Sequence, residues 1–161
     1  MSLLIGAARS AVATDATLTG DAHVNSGHAS VNYGTLSNVD VGGGSTGLLQ
    51  FDLSTLPANV SASQISKATL RLYINRVTTS GSVNVMQLAG SWTESTVTYT
   101  TLPALGASVG TLQISSSGQY VTLDVTAAVQ GWLNSPSTNH GLALVSAGAA
   151  CLLYTSPSPR D

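Results

Sequence analysis

The strongest constraint on the fold of this chain is a two-residue alternation of apolar and polar side chains that recurs in several short segments. The clearest example is KATLRLYINRV, residues 67–77, in which aliphatic side chains occupy every second position from Ala68 to Ile74. Successive side chains of a β-strand point to opposite faces, so this pattern predicts a strand with one buried and one solvent-facing side. The same pattern occurs in GLLQFDLS (47–54), SVNVMQLA (82–89), GTLQIS (110–115), QYVTLDVT (119–126) and GLALVS (141–146).

The residues between these segments indicate the fold class. Gly, Ser, Asn or Pro bounds each segment, weaker strands are expected over 16–24 and 38–41, and VGGGSTG (41–47) predicts a hairpin turn. Many short strands with little helical periodicity predict an all-β fold, namely a two-sheet antiparallel β-sandwich of jelly-roll type. The residues expected between the sheets are Leu49, Phe51, Leu53, Leu70, Leu72, Ile74, Val121, Leu123 and Val125.

One or two short helical turns are expected within this all-β pattern. TAAVQGWLNSP predicts a helix with Thr126 as its N-cap that ends near Asn134, before a proline. SWTES carries Ser91 and Glu94 at the spacing of a capping box, which is a weaker signal. The apolar face of the first helix consists of Val129, Trp132 and Leu133.

Composition excludes two classes of partner. The chain has 161 residues, of which 43% are hydrophobic and 7% are charged, so it can bury the core of a single domain. Its net charge is −2 and it has no run of Lys or Arg, so it lacks the cations that drive nucleic-acid binding. No apolar run approaches the roughly 20 residues of a transmembrane helix, so we expect no membrane insertion.

The first segment, residues 1–13, differs from the sequence that follows. Residues 3–8 are mostly apolar and Ala11-Val12-Ala13 resembles a signal-peptidase site, although no basic residue precedes the apolar stretch. The segment therefore fits a clipped signal peptide and, equally, an Ala-rich leader. Low charge and the absence of cysteine before residue 151 favour export, so a secreted or cell-surface location is expected.

An ordered set of motifs extends from about residue 21 to residue 145. It consists of DAHV, NYG, LLQFDLSTLP, ISKATLRLYI, WTESTVTY, YVTLDVTAAVQGW and NHGLAL. Each motif alone is weak, but in this order they resemble the DNRLRE-type domain, which is grouped with carbohydrate-binding modules as family ninety-six. The resemblance implies a β-sandwich appended to secreted or surface proteins, some of them polysaccharide-degrading enzymes, with alginate binding known in the family.

The last segment, CLLYTSPSPRD (151–161), holds the only cysteine and two of the five prolines of the chain. Similar domains continue past GLAL into another strand, whereas this segment resembles the translation of a transposase-type sequencing adapter. We therefore expect a C-terminally truncated sandwich domain over 14–150, followed by an adapter-derived tail over 151–161 that adds no strand. The alternative is a Pro-rich surface tail.

The sequence offers few groups for catalysis. Acidic residues are scattered singly, and His23, His28 and His140 have no nearby Cys or acidic ligand motif. The chain is therefore predicted not to be an enzyme and to need no cofactor. A structural calcium ion stays open as an alternative, although its candidate oxygen donors lack the spacing of a calcium loop. Those donors are Asp21, Asn25 and Asp40.

Sugar binding requires an aromatic face for the pyranose C–H surface and planar polar groups for the hydroxyls. Arg71, Tyr73 and Asn75 share the polar side of one predicted strand and would form a groove floor if that side is concave. Tyr33 and Trp92 lie on predicted loops at an end of the sandwich. The alternative role for Trp92 is structural, as a plug of the sandwich end.

Two functions remain open from the sequence. The first is non-catalytic polysaccharide binding, and the second is a structural or adhesive spacer without a glycan ligand. A neutral polysaccharide is expected, because only Lys67, Arg71 and Arg76 carry positive charge between the leader and the tail. The domain is also expected to be fused to further domains in the full-length protein.

Overall fold

The chain folds into ten β-strands and one α-helix in a computed structural model that describes residues 1–7 and 10–154. The strands are β1 (Ser2–Ala7), β2 (Ser10–Asn25), β3 (Asn38–Val41), β4 (Ser45–Asp52), β5 (Ile65–Thr79), β6 (Gly81–Leu88), β7 (Leu105–Ile114), β8 (Gln119–Asp124), β9 (Leu142–Ala147) and β10 (Ala150–Tyr154). The helix α1 spans Thr126–Asn134, and 3-10 turns cover Ser26–His28, Ala62–Gln64 and Pro136–Thr138. The expected all-β class is confirmed.

The strands form two sheets, and the long strand β5 organises the first of them. β5 pairs with β8 along one edge and with both β1 and β10 along the other edge. β1 pairs in turn with the first part of β2, and β10 pairs with β3. The second sheet has the order β2–β4–β9–β6–β7, so β2 belongs to both sheets. All these pairs are antiparallel, as expected for the sandwich.

The main core lies between the sheets, and strand register decides which side chains enter it. Leu70 of β5 pairs with Leu3 of β1 and with Leu123 of β8, so apolar positions of neighbouring strands share the inner face. Leu53, Val121 and Leu123 are only half-buried, because Leu53 follows the end of β4 and the other two lie on the outermost strand β8. The other residues expected in the core are almost completely buried, namely Leu49, Phe51, Leu70, Leu72, Ile74 and Val125.

A second apolar cluster covers the outer face of the second sheet. Leu48 of β4 pairs with Ala22 of β2 and Ala143 of β9, and all three are buried there. The segment 89–104 packs over them through Trp92 and Val97. A strand that is covered on both faces loses its alternation, which is why two consecutive leucines of β4 are both fully buried.

The helix α1 covers the expected residues, but its first hydroxyl has a different role. The N-cap position is Val125 rather than Thr126. Thr126 Oγ1 accepts a hydrogen bond from the Ala68 N–H at 2.9 Å and donates one to the Asp124 carboxylate at 2.6 Å. The hydroxyl therefore joins the helix to β5 and β8. In the described part of the chain, no helix has the length and apolar character needed to cross a bilayer.

SWTES leads into a single hydrogen-bonded turn rather than a helix, in which the Thr93 backbone oxygen accepts from the Thr96 N–H at 3.1 Å and from the Val97 N–H at 2.9 Å. Residues 91–93 have no regular structure, and Glu94 Oε1 accepts a hydrogen bond from the Asp21 N–H at 3.0 Å. That bond ties the segment 89–104 to β2. At the 3-10 turn Ala62–Gln64, the Gln64 side chain bonds back to the start of the turn, where its Oε1 accepts from the Ser61 N–H at 2.8 Å.

VGGGSTG forms the expected hairpin between β3 and β4. Gly42 and Ser45 exchange two backbone hydrogen bonds, at 3.0 and 3.1 Å. The two residues between them, Gly43 and Gly44, have φ values of 61° and 88°. Two consecutive left-handed residues form the tight turn that suits the twist of antiparallel strands, and glycine adopts them without strain.

Both ends of the described chain belong to the first sheet. β1 lies within the segment 1–13 that was interpreted as a leader, and it pairs with β2 and β5. β10 lies between β3 and β5 with Cys151 and Leu153 buried. The expectation that residues 151–161 add no strand is therefore wrong for residues 151–154, while residues 155–161 lie outside the described part. The interpretation of residues 1–13 as a leader and of residues 151–161 as adapter-derived concerns the origin of these segments. Strand pairing does not test it, so both interpretations stay predictions.

Candidate functional site

Three of the predicted site residues lie on the outer face of the first sheet. Arg71 and Tyr73 alternate with core leucines on β5, and Asn75 follows at the next alternate position. On β8, Thr122 pairs with Arg71 and Tyr120 pairs with Tyr73. Directly opposite residues of an antiparallel pair point to the same side, so these side chains share one solvent-facing surface.

Arg71, Tyr73 and Tyr120 form a contiguous group, the aromatic cluster. The two tyrosine rings meet edge to face, with centroids 5.1 Å apart and planes at 66°. The guanidinium carbon of Arg71 lies 3.7 Å from the centroid of the Tyr120 ring, a cation–π contact. Tyr120 is 49% exposed, whereas Tyr73 is half-buried. The sheet thus presents aromatic and guanidinium surface to solvent from two paired strands.

Asn75 extends this surface towards β3. Its Nδ2 donates a hydrogen bond to Asn38 Oδ1 at 3.4 Å. The pairing of β10 with β5 shifts register between Leu152 and Leu153, opposite this part of β5. A bulge of this kind re-aims side chains locally. Both amides are planar groups that donate and accept, so they add hydroxyl-binding capacity beside the aromatic cluster.

Tyr33 lies elsewhere, on the loop between β2 and β3, where its ring stacks on His23 with centroids 4.5 Å apart and planes at 15°. His23 belongs to β2 and is buried, and its Nδ1 accepts a hydrogen bond from the Asp40 N–H at 3.3 Å. Its Nε2 is 3.7 Å from the Asp40 carboxylate. Burial lowers the pKa of His23, and the Asp40 carboxylate opposes part of this shift.

Trp92 has a structural environment. Its indole N–H donates to the backbone oxygen of His140 at 2.8 Å, and its side chain packs against the second apolar cluster. A Cβ atom on Gly20 would stand 3.3 Å from Trp92 Cη2, so the ring rests closely on β2. The five predicted residues therefore divide into a group on the first sheet and two residues held by contacts to the second sheet.

The oxygen donors considered for calcium serve other partners. Asn25 Oδ1 accepts a hydrogen bond from the Gly27 N–H at 2.8 Å, and Asn25 Nδ2 donates to Ser45 Oγ at 2.9 Å. Asp40 lies beside His23. Among residues 1–7 and 10–154, no three His, Cys, Asp or Glu side chains are grouped so that they could hold a metal ion.

Comparison with protein families matches nearly the whole chain. The sequence profile of carbohydrate-binding module family 96 matches residues 12–158. The chain belongs to this family. The family consists of carbohydrate-binding modules, which are as a class non-catalytic binding domains. A search among proteins of curated function finds no match to this family 96 module.

Sequence reasoning missed one member of the cluster in this family 96 module, Tyr120. The segment QYVTLDVT placed Tyr120 on the polar side of a predicted strand together with Thr122, which was the available signal. What the sequence did not contain is the identity of the neighbouring strand. Only the pairing of β8 with β5 brings Tyr120 next to Tyr73.

Proposed function

We propose that this module binds a neutral polysaccharide through the outer face of the first sheet. The observation that carries the proposal is the contact of Arg71 and Tyr73 with the exposed ring of Tyr120. Tyrosine rings supply the apolar surface that packs on pyranose C–H groups, and the Arg71 guanidinium supplies N–H donors for hydroxyl oxygens. Asn75 adds an amide beside them.

The position of the aromatic cluster supports binding over a packing role. A large aromatic ring that serves the core is normally covered, whereas Tyr120 is 49% exposed on a face that points away from the core. Its contacts with Arg71 and Tyr73 restrain its orientation before any ligand arrives. Such preorganisation reduces the entropy that a ligand-binding side chain loses on association.

The charges near the cluster favour a neutral ligand. Lys67 and Arg71 lie on β5, but the Asp124 carboxylate on β8 interacts electrostatically with Lys67 and offsets its charge. A polyuronate requires several unopposed cations along one track, because each exposed ion pair is weak and screened by salt. We propose further that the module is secreted or displayed at a cell surface and is fused to domains that it tethers to the polysaccharide.

Affinity gel electrophoresis on a panel of neutral and acidic polysaccharides tests the proposal. We expect saturable retardation on a neutral polysaccharide, with Kd in the micromolar to millimolar range, about 4 to 8 kcal/mol of binding free energy. Tyr73→Ala and Tyr120→Ala should each abolish it. Tyr99→Ala is the matched control, since this tyrosine is also exposed but lies on the segment 89–104 over the second sheet.

Other results would change the assignment. Loss of retardation in Trp92→Ala or Tyr33→Ala, with Tyr73→Ala unaffected, would move the site to the loops. No retardation of the natural sequence on any polysaccharide would favour the spacer function instead.

A further inference from the structure

A cleft lies at one end of the sandwich, where α1 and the turn Pro136–Thr138 meet the end of β4. Its volume is about 360 Å³, which falls within the range of small-molecule binding sites. The walls of the cleft come from three separate parts of the chain, which the fold brings together. We call it the end cleft, and its lining residues are Asp52, Leu53, Ser54, Trp132, Leu133, Pro136 and Asn139.

Two buried polar atoms of the end cleft lack hydrogen-bond partners within the described residues. They are the indole nitrogen Nε1 of Trp132 and the side-chain oxygen Oδ1 of Asn139. Trp132 is only 1% exposed, so its N–H is shielded from bulk water. A buried donor or acceptor without a partner has given up its hydrogen bond to water and gained none in return, so a ligand group that pairs with both atoms would stabilise the bound state.

The orientation of the Asn139 amide is fixed by its other end. Asn139 Nδ2 donates to the backbone oxygen of Phe51 at 3.0 Å. Because a carbonyl oxygen accepts and cannot donate, the amide nitrogen must face Phe51 and Oδ1 must be the free acceptor. Two residues that line the end cleft therefore each carry one group without a partner in the described part of the chain, a donor on Trp132 and an acceptor on Asn139, and both atoms are buried beneath the surface of the cleft.

The rest of the lining selects the charge of a ligand. Leu53, Leu133 and Pro136 are apolar, and among the residues that the structure describes the only charged side chain that lines the end cleft is the carboxylate of Asp52. Hydrogen bonds from the Ser54 hydroxyl and N–H lower the pKa of Asp52, so it stays ionised. A carboxylate at the rim repels anions and accepts hydroxyl groups.

We propose that the end cleft is a second saccharide site of the module, in which ligand hydroxyls accept from Trp132 Nε1–H and donate to Asn139 Oδ1. A hydroxyl is the smallest uncharged group that both donates and accepts, and the apolar wall suits the C–H face of a sugar. Because both atoms are shielded, binding includes a small displacement of the exposed turn Pro136–Thr138. The choice of a sugar as ligand rests on the proposed carbohydrate function.

Indole resonances in ¹H–¹⁵N NMR spectra test this proposal, since the chain contains only two tryptophans. The probes are the methyl glycosides of glucose, galactose, mannose and xylose, with glucuronic acid as the anionic comparison. We expect at least one neutral glycoside to shift the Trp132 indole signal saturably, with Kd of about 1 mM or below. The Trp92 indole, already bonded to His140, is the internal reference.

A plugged variant supplies the matched control. Ser54→Tyr should fill the mouth of the end cleft and weaken glycoside binding at least about tenfold, equivalent to about 1.4 kcal/mol. Ser63→Tyr places the same ring on an exposed turn outside the end cleft and should bind as the natural sequence does. If none of the four glycosides moves the Trp132 signal, or if glucuronic acid moves it equally, the proposal is overturned.

These experiments test the two proposed sites independently of each other. Tyr73→Ala should lose retention on polysaccharide and keep the glycoside response at Trp132. Retention that depends on Tyr73 with no response at Trp132 refutes the end cleft alone, and the reverse result refutes the sheet face alone.

Discussion

Arg71 holds the Tyr120 ring in place, with its guanidinium carbon 3.7 Å from the ring centroid. A planar guanidinium stacks on an aromatic face, whereas a lysine ammonium is a compact charge that does not stack in this way. Arg71→Lys should therefore weaken retention on polysaccharide several-fold although the charge is kept. Arg76→Lys, one of the other exposed cations of β5, is the control and should have no effect.

Salt dependence distinguishes a neutral from an acidic ligand. If stacking and hydroxyl bonds supply the affinity, retention should change little when NaCl rises, because screening weakens charge pairs and not apolar contacts. The measurement is affinity electrophoresis of the natural sequence at low and high salt. Strong retention on alginate that disappears in moderate salt, with none on neutral glucans or xylans, would reverse the charge argument.

His23 makes stability depend on pH. Because its pKa is lowered in the folded state, the unfolded chain binds a proton more readily below about pH 6.5, the ordinary histidine value. The unfolding free energy should therefore fall as the pH drops through this value, by at most about 1.4 kcal/mol per pH unit. Urea unfolding between about pH 5 and 8 measures it.

The variant His23→Asn isolates this contribution. It has no group that titrates at that position and should give a flatter stability profile over the same range. The carboxyl groups of Asp52 and Asp124 do not interfere, because hydrogen bonds from Ser54 and Thr126 lower the pKa of each below its ordinary value. An identical slope in both proteins would show that His23 is not the responsible group.

Leu153 and Leu152 test the position of β10. Leu153 is 2% exposed in the main core, whereas its neighbour Leu152 points to the other face and is half-buried. Leu153→Ala should cost about 2–5 kcal/mol of unfolding free energy, as for a buried leucine, and Leu152→Ala much less. Equal, small losses in denaturant unfolding would restore the expectation that this segment adds nothing to the sheet.

The thiol of Cys151 provides an independent test of the same strand. Burial raises its pKa to about 11, and the Asp40 carboxylate adds to the shift. Since the thiolate is the reactive form, a thiol reagent at pH 8 should modify the folded protein slowly and the urea-unfolded protein at once. Rapid modification of the folded protein would mean that Cys151 is not covered by β3 and β5.

The sequence predicted the strands well where alternation reflects a single buried face. In β5, Leu70, Leu72 and Ile74 are buried as expected, because the opposite face meets solvent. In β4 the prediction was incomplete, since Leu48 is buried under the segment 89–104, which folds over the second sheet. No local sequence pattern predicts that this outer face is covered, because the cover depends on where the distant segment 89–104 packs.

The site and the chain ends were harder to predict, for two different reasons. Tyr120 joins Tyr73 only through the β5–β8 pairing, and strand neighbours are not encoded locally. For β10, the alternation was present, since Cys151 and Leu153 occupy every second position. Strand pairing depends only on which side chains a segment presents and not on the origin of the segment, so the resemblance to an adapter could not predict how it pairs.

β10 and β1 lie end to end along the same edge of β5. Tyr154 pairs with Tyr73 and Ser2 pairs with Arg71, and both segments run in the same direction along β5. Arg71 and Tyr73 are two residues apart on β5, which corresponds to about 7 Å along a strand. In the register of β1, residue 1 lies opposite the position between them, and therefore between Ser2 and Tyr154. A circular permutant that joins residue 154 directly to residue 1 should therefore need no linker. New termini placed between Gly43 and Gly44 would lie away from this junction.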